Sequence, residues 1–245
     1  MVNENLCFII AHKYYRSYVN YTNEYVKNIK TFYPNAKIII VDNNSTHVNP
    51  CFEDLKKNGV IILENDNQCK FELGAYKVAI NYLNQNNLIK EKSYFIFTQD
   101  NFVLKNKYDF NILKLKNVDA CPIVSWNNDW EFIYVCRPIL ESIGLFNNLE
   151  KVNFCWCNSF IISSNKLLEF YDHIKDIVIV DRLGSMASER YLPRIFWEIN
   201  NNKNFDIDGK IEELDYYCHT VDITDNVSNF FCKISQQKNE TTLDI

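Results

Sequence analysis

Glycine is scarce in this chain, which has only five glycines among its 245 residues. Two glycine-rich phosphate-binding patterns, G-x-G-x-x-G and G-x-x-x-x-G-K-S/T, do not occur in it. In such patterns glycine lets backbone N–H groups approach a phosphate closely. The sequence is therefore a poor fit to a G-x-G-x-x-G dinucleotide-binding protein and to a P-loop protein.

An excess of positive charge is also lacking. The chain has 26 Lys and Arg against 31 Asp and Glu, a net charge of -5, and no basic run. Proteins that bind nucleic acid carry a basic patch or stripe that neutralises phosphates. We therefore expect no nucleic-acid partner, although a single pocket can still have the sign that an anionic ligand needs.

Long apolar runs are missing near the amino end. The run at residues 6–11 stops at His12 and Lys13. Six residues are too few for the core of a signal peptide and far too few to span a bilayer. We therefore expect a soluble, cytoplasmic protein without a transmembrane segment.

A disulfide framework is absent as well. Nine cysteines, an odd number, are scattered along the chain, which favours reduced thiols. Cys155-Trp156-Cys157 has no second Cys/His pair at zinc spacing. We expect these cysteines to be small core residues.

The composition that remains is that of an ordinary globular protein. Hydrophobic residues make up 47% and charged residues 23% of the chain. A chain of this length can bury a sizeable core, so we expect one domain over residues 1–234. The polar residues 235–245 are expected to form a frayed tail.

The first half of the chain alternates short apolar runs with amphipathic segments. Helices are predicted at residues 17–32, 52–58 and 71–83, separated by strands at 7–11, 37–41, 60–63 and 94–97. Apolar strands separated by helices favour βαβ units. The predicted class is α/β, with a mostly parallel sheet covered by helices on both faces.

The second half has a less regular pattern. Apolar runs predict strands at residues 118–126, 131–135 and 160–162, and a helix at 166–174 capped by Asn165. Another helix follows, and since a proline deep inside a helix is costly, Pro193 predicts that it starts near Ser188 or is kinked.

Two carboxylates follow predicted strands, where ligands bind in open α/β sheets. Asp100 ends the strand Tyr94-Phe95-Ile96-Phe97, and a carboxylate there can bind Mg²⁺ or Mn²⁺ when the metal also bridges phosphates. Asp42 ends the second strand and can accept hydrogen bonds from a base or a ribose hydroxyl. The alternatives are local: a turn-capping Asp100, and an Asx turn over residues 42–45.

A third polar feature opens the helix that precedes the Asp100 strand. Its sequence is Glu72-Leu73-Gly74-Ala75, and small residues there let backbone N–H groups approach a phosphate at the positive end of the helix. Glu72 is equally explained as a first-turn acid that favours the helix dipole.

These stretches together carry a resemblance. The order apolar strand, helix, Ile-Ile-Ile-Val-Asp-Asn-Asn-Ser, Glu-Leu-Gly-Ala helix, then Phe-Ile-Phe-Thr-Gln-Asp-Asn resembles the nucleotide-sugar-binding half of GT-A glycosyltransferases of the family-2-like group. The resemblance is good over about the first 105 residues and loose over 106–234, the acceptor half. It implies a GT-A-like fold.

The resemblance also implies roles for particular residues. Asp42 would hold the uracil or ribose of the donor. Thr98-Gln99-Asp100 stands where such enzymes have an acidic D-x-D triplet that binds a divalent metal on the diphosphate. Only Asp100 keeps its acid there, so dependence on Mn²⁺ or Mg²⁺ is in question.

Two later residues resemble other features of these enzymes. Ser188-Glu189-Arg190 is similar to the x-E-D motif under the acceptor site, which would make Glu189 the base that takes the acceptor proton in an inverting enzyme. His219 is similar to a carboxy-terminal histidine that completes the metal site. The alternatives are a first-turn acid for Glu189 and a structural role for His219.

The implied activity is transfer of a sugar from a nucleoside diphosphate, with UDP favoured, to a hydroxyl acceptor on a glycan or another molecule. Beside Asp42, the expected donor-site residues are Asn44, Glu72, Gly74, Lys77 and Gln99, with Lys13 as a further basic group. Two rivals remain. A sugar-1-phosphate nucleotidyltransferase would need a glycine-rich loop after the first strand, which residues 11–15 lack, and the reduced triplet also suggests a non-catalytic nucleotide- or carbohydrate-binding module.

Overall fold

A six-stranded sheet flanked by helices is the centre of the computed structural model, which describes residues 5–16, 20–104, 106–123, 125–126, 130–147, 154–203 and 231–233. The strands are β1 (Asn5–His12), β2 (Lys37–Asp42), β3 (Ile61–Glu64), β4 (Ser93–Gln99), β5 (Phe102–Leu104), β6 (Ala120–Pro122), β7 (Ser125–Trp126), β8 (Phe154–Cys155), β9 (Phe160–Ser163) and β10 (Phe231–Lys233). The α-helices are α1 (Thr22–Phe32), α2 (Phe52–Lys57), α3 (Phe71–Gln85), α4 (Asn111–Leu115), α5 (Trp130–Ser142), α6 (Leu167–Ile174) and α7 (Arg182–Ile199).

The sheet has the strand order β3-β2-β1-β4-β9-β6. The first four of these strands pair in parallel, and β9 pairs antiparallel with β4 and β6. The predicted α/β class with a mostly parallel sheet is confirmed. Because the chain runs outward from β1 to β3 and then returns to place β4 on the other side of β1, the strand order reverses between β1 and β4, which is where such sheets form a ligand crevice.

Both faces of the sheet are buried, as the continuous apolar runs predicted. Phe8 and Ile10 of β1 pack into one core with Tyr25 and Ile29 of α1. Ile9, on the other face, packs with α3 and α7. Alternate residues of each strand point to opposite faces, so a strand covered on both sides must be apolar throughout.

Aromatic rings join the sheet to the helices on the α3 and α7 side. The Phe160 ring lies 4.4 Å from that of Phe97, 5.1 Å from that of Phe170 and 5.0 Å from that of Phe196, measured between centroids. The Tyr76 ring meets it edge-on at 5.7 Å. Phe160 is therefore the point at which β4, β9, α3, α6 and α7 pack together.

The predicted strand at residues 131–135 is wrong, since this segment belongs to α5. Its buried residues Ile133, Cys136 and Leu140 recur at helical spacing. Tyr134 and Val135 are exposed although they are large and apolar. They fill the polar face of the helix with apolar residues, which hides the helical period and gives the run the composition of a strand.

Of the two alternatives predicted for the last helix, a start near Ser188 or a kink at Pro193, the start near Ser188 is wrong. The helix α7 begins at Arg182, and the Asp181 side chain caps it by accepting a hydrogen bond of 2.8 Å from the Gly184 N–H. Pro193 lies inside this helix. A proline there costs about 3 kcal/mol, and burial of neighbours such as Tyr191 and Leu192 offsets that cost.

Smaller differences concern element ends. The first helix starts at Thr22, later than its predicted start, and the apolar run at 118–126 forms β6 and β7 rather than one strand. Lys166 rather than Asn165 precedes α6, and no side chain caps that helix. No helix within the described ranges is long and apolar enough to cross a membrane.

Close packing restricts position 74 to glycine. A Cβ at this position would lie 2.0 Å from the backbone oxygen of Cys69 and 2.6 Å from Nδ2 of Asn65. The Asn65 amide itself donates to that same Cys69 oxygen at 2.9 Å, so the turn before α3 is held against the helix. Only a residue without a side chain lets the turn come this close.

We expect Phe160→Ala to lower the free energy of unfolding by about 3–5 kcal/mol, because it removes the ring shared by several elements. Urea denaturation measures the loss. The control is Val178→Ala, an exposed site where a change within about 0.5 kcal/mol is expected. Equal losses in the two variants would contradict the central position of Phe160.

We expect Gly74→Ala to lower the free energy of unfolding by about 1–3 kcal/mol or more, since the new methyl group overlaps a backbone oxygen. The control, Gly184→Ala, introduces the same change in another helix. There the methyl group would lie 3.1 Å from the movable Cγ2 of Ile179, so a loss below about 1 kcal/mol is expected. A harmless Gly74→Ala would show that the turn moves away freely.

Candidate functional site

A cavity of about 650 Å³ opens at the carboxyl ends of β1 and β4. This is the point where the strand order reverses, and the volume lies within the ~300–1,000 Å³ typical of small-molecule sites. Residues predicted from sequence that line it are Asn44, Glu72, Gln99, Asp100 and Glu189, together with Lys13. The crevice therefore gathers residues from both halves of the chain.

Asp100 is held between the ends of two strands. Its N–H donates to the carbonyl of Ala11 at 3.1 Å, which extends the pairing of β4 with β1 by one residue. Its Oδ2 accepts the Lys13 N–H at 3.0 Å and lies 2.7 Å from Nδ1 of His12. The Asp100 side chain is 17% exposed. One carboxylate oxygen is thus occupied by donors of the protein while the residue still reaches the cavity.

The loop after β2 forms another wall. Lys13 Nζ donates to the carbonyl of Asn43 at 3.0 Å and also to that of Asn44. The Asp42 carboxylate accepts the Ser45 hydroxyl, as in the turn that the sequence offered as an alternative. Asp42 is not among the residues that line the cavity. A contact of Asp42 with a nucleoside stays a prediction.

Glu72 is the centre of a hydrogen-bond network at the start of α3. Gln99 Nε2 donates to Oε1 of Glu72, and the Ser185 hydroxyl donates to its Oε2 at 3.0 Å. Asn158 Nδ2 lies 3.4 Å from the same Oε2, and Oδ1 of Asn158 accepts the Ser188 hydroxyl at 2.8 Å. These donors fix the carboxylate, which joins β4 and α7 to α3 beside the cavity.

Glu189 reaches the cavity from the middle of α7. Its Oε1 accepts the Cys157 N–H at 3.0 Å, and its Oε2 lies 3.7 Å from Nη1 of Arg190. Cys157 and Asn158 both have a positive φ, 55° and 51°. Left-handed residues other than glycine are uncommon and cluster at functional sites. The turn at residues 156–158 is therefore shaped so that a backbone N–H meets this carboxylate.

The C-x-C segment lies between the core, which contains Cys155, and the cavity, which Cys157 lines. Cys155 is buried and its thiol donates to the Ser159 carbonyl at 3.2 Å. Burial, followed by the charge of Glu189, raises the pKa of Cys155 well above its ordinary value. This thiol is therefore neutral at pH 7 and is not a nucleophile.

Charges of both signs surround the cavity. The carboxylates of Glu72, Asp100 and Glu189 line it, and so do the cations Lys13, Lys70 and Arg182. Lys70 and Arg182 are exposed and stand on neighbouring segments, because the Lys70 N–H donates to the Ile179 carbonyl at 2.7 Å. This edge of the cavity is suited to an anionic group.

Besides Asp42, two residues predicted from sequence are not part of this arrangement. Gly74 packs against the turn at Cys69, and Lys77 Nζ donates to the Ile177 carbonyl at 2.9 Å. Neither lines the cavity. His219 lies outside the described residues. Their roles toward a ligand stay predictions.

The donor set for a divalent metal is small in the described ranges, where no group of three or more His, Cys, Asp and Glu side chains stands together. Asp100 supplies one hard carboxylate oxygen donor of the kind that Mg²⁺ and Mn²⁺ accept when phosphates provide others. The residues present therefore fit a cation that is held jointly with a diphosphate. They do not fit one enclosed by protein ligands.

Sequence reasoning missed His12, although a signal was available. His12 directly follows the apolar run of β1, as Asp42 and Asp100 follow theirs, and the rule that places ligands at strand ends applies to it equally. Asn158 and Ser185 also belong to this region. No local pattern marks them, because their partners are distant in sequence.

No protein-family model matches this chain, and no curated protein matches it. Solved structures do resemble it. S. aureus TarS, residues 1–349 of that protein, is 10% identical with a TM-score of 0.40, and the match covers 77% of this chain and 56% of that one. Mannosyltransferase PcManGT from Pyrobaculum calidifontis, in complex with GDP-Man and Mn²⁺, is 11% identical with a TM-score of 0.40, covering 69% and 46%.

A third similar structure is glucosyl-3-phosphoglycerate synthase from Mycobacterium tuberculosis in complex with Mn²⁺ and UDP-Glc. It is 12% identical with a TM-score of 0.38, and the match covers 75% of this chain and 67% of that one. This chain spans about half the length of the first two solved chains. At such identities and TM-scores the likeness identifies neither a family nor an activity, so the function must follow from the residues of the cavity.

Proposed function

We propose that this protein is a glycosyltransferase that moves a sugar from a nucleoside diphosphate, UDP first among the candidates, to a hydroxyl acceptor. The observation that carries the proposal is the cavity at the strand reversal, which brings Asp100 at the end of β4 together with Glu189 of α7. Those are the two acids that the resemblance to GT-A enzymes assigned to the donor and the acceptor. They are 89 residues apart in sequence and line one space.

The donor would lie across the ends of β1, β2 and β4. Asn44 lines the side formed by the loop after β2, where the resemblance puts the nucleoside together with Asp42. Lys13, Lys70 and Arg182 offer cations to a diphosphate. A bound Mn²⁺ or Mg²⁺ would neutralise the charge that develops on the leaving diphosphate. Asp100 would hold that ion, with His219 as the second predicted ligand.

Glu189 would act on the acceptor. In an inverting transfer its carboxylate takes the proton of the acceptor hydroxyl, while the acceptor oxygen forms a bond to the anomeric carbon of the sugar. The bond from that carbon to the diphosphate oxygen breaks, and its electron pair leaves with the nucleoside diphosphate. The Cys157 N–H holds one oxygen of Glu189, which orients the carboxylate as such a base requires.

We expect UDP with Mn²⁺ to raise the melting temperature of the wild-type protein and to have a much smaller effect on Asp100→Asn. Ligand at 100 times its Kd stabilises the folded state by about 2.7 kcal/mol. Differential scanning fluorimetry with UDP and GDP, each with and without Mn²⁺, measures the shift. Asp54→Asn is the matched control, an exposed Asp to Asn change on α2 away from the cavity. If no nucleotide shifts the wild type at millimolar concentration, the transferase proposal falls.

We expect Glu189→Gln to lower kcat for sugar transfer or donor hydrolysis about 10²–10⁴-fold, because an amide cannot accept the acceptor proton. Release of UDP measures turnover, and calorimetry should show that donor binding is retained. Glu198→Gln serves as control, since Glu198 lies on the same helix and pairs with Arg194. Full activity in Glu189→Gln would exclude it as the base. If the wild-type protein binds nucleotides but cleaves no UDP-sugar or GDP-sugar, the protein is a binding module and not an enzyme.

A further inference from the structure

We propose that His12 is a positioning residue that orients the Asp100 carboxylate. Asn49 in turn determines which ring nitrogen of His12 carries the proton. This inference rests on the proposed function, because it concerns how Asp100 meets the donor. His12 is buried, with 2% of its surface exposed, yet both ring nitrogens have polar neighbours. It lines the cavity at the end of β1.

The two ring nitrogens of His12 face different groups. Nδ1 lies 2.7 Å from Oδ2 of Asp100, and Nε2 lies 3.2 Å from Nδ2 of Asn49. The Thr22 hydroxyl lies further away, 3.3 Å from Nδ1. The Phe52 ring packs against the imidazole with centroids 5.1 Å apart. The ring is therefore held in one orientation, with Asp100 as the nearest acceptor.

Asn49 has its own orientation fixed by the next residues. Its Oδ1 accepts the Cys51 N–H at 3.1 Å and lies 2.8 Å from the Cys51 thiol, which also donates to it. An amide whose oxygen takes these donors must turn its NH₂ group toward His12. This NH₂ group can only donate, so Nε2 of His12 must be the unprotonated, accepting nitrogen.

The proton of the neutral imidazole then lies on Nδ1 and points at Asp100. A ring nitrogen's partner commonly sets the tautomer in this way, as in metal sites where an outer carboxylate orients a histidine. Here the order is reversed, since the histidine orients the carboxylate. A relay runs from the Cys51 N–H through Asn49 and His12 to Asp100.

The consequence concerns the two oxygens of Asp100. Oδ2 receives both the His12 Nδ1–H and the Lys13 N–H, so it is the oxygen that anchors the carboxylate to the wall. The carboxylate cannot turn without losing both bonds. Asp100 therefore meets a cation or a donor hydroxyl through Oδ1 alone. The orientation of this carboxylate is important because Asp100 is the only acid of the Thr98-Gln99-Asp100 triplet. In a triplet with two acids, the second carboxylate could share the contact with the cation.

The first test reads the tautomer of His12 by ¹⁵N NMR of the wild-type imidazole resonances. We expect Nδ1 to show the chemical shift of a protonated nitrogen and Nε2 that of an unprotonated one. Asn49→Asp replaces the donor by an acceptor and should move the proton to Nε2. A wild-type His12 with its proton on Nε2 would overturn the proposal.

The second test measures the affinity of UDP with Mn²⁺ by calorimetry. We expect His12→Leu to weaken it about 10–100-fold, the usual effect of losing a residue that orients a ligand. His12→Asn keeps an N–H near the place of Nδ1 and should recover most of the affinity. A merely structural role would leave both variants alike, and unchanged binding in His12→Leu would overturn the proposal.

The two tests separate this inference from the proposed function. If the wild type binds no nucleotide, the glycosyltransferase proposal and the donor role of Asp100 fail together, whatever tautomer is seen. If it binds UDP with Mn²⁺ and His12→Leu unfolds, the Asn49→Asp variant decides. Weaker binding with a moved proton supports the relay, and unchanged binding with a moved proton rejects it.

Discussion

The parallel pairing of β1 with β4 is the constraint on which the cavity depends. The register sets Ala11 beside Gln99, and the bond from the Asp100 N–H to the Ala11 carbonyl continues it past the end of β4. His12 and Asp100 are therefore brought together by the sheet itself. A slip of one residue would exchange the two faces of β4, move Phe97 to the opposite core and break its packing with Phe160, so the core enforces this register. The packing that fixes the core therefore also fixes the positions of His12 and Asp100 at the strand ends.

Glu72 extends that constraint to the less regular half of the chain. Its carboxylate receives donors from β4, from the turn at residues 156–158 and from α7. A partly buried carboxylate is stable when several donors satisfy it, and it costs free energy when they are lost. Glu72 therefore stabilises one relative arrangement of the two sequence halves. Its place at the first turn of α3 adds the favourable end of the helix dipole.

The sequence could predict what depends on local pattern. Continuous apolar runs between helices predicted β1 to β4 and their parallel order, and the rule for strand ends predicted a role for Asp100. It failed where a helix such as α5 shows apolar residues to solvent, and where burial overrides the cost of Pro193. The close backbone contact at Gly74 could not be predicted from the sequence, and the phosphate role assigned to this residue stays a prediction. Contacts such as Asn49 with His12 depend on loops whose paths no periodicity specifies.

Burial also accounts for the lack of an acid at the first position of the Thr98-Gln99-Asp100 triplet. Thr98 belongs to β4, is fully buried, and its hydroxyl lies 3.0 Å from that of Tyr25. Burial raises the pKa of Tyr25, so the pair is two neutral hydroxyl groups sharing a hydrogen bond. A carboxylate at position 98 would be desolvated next to a neutral phenol, which is unfavourable unless a cation pairs with it. Position 98 serves the core, whereas Asp100, one step beyond the end of β4, lines the cavity.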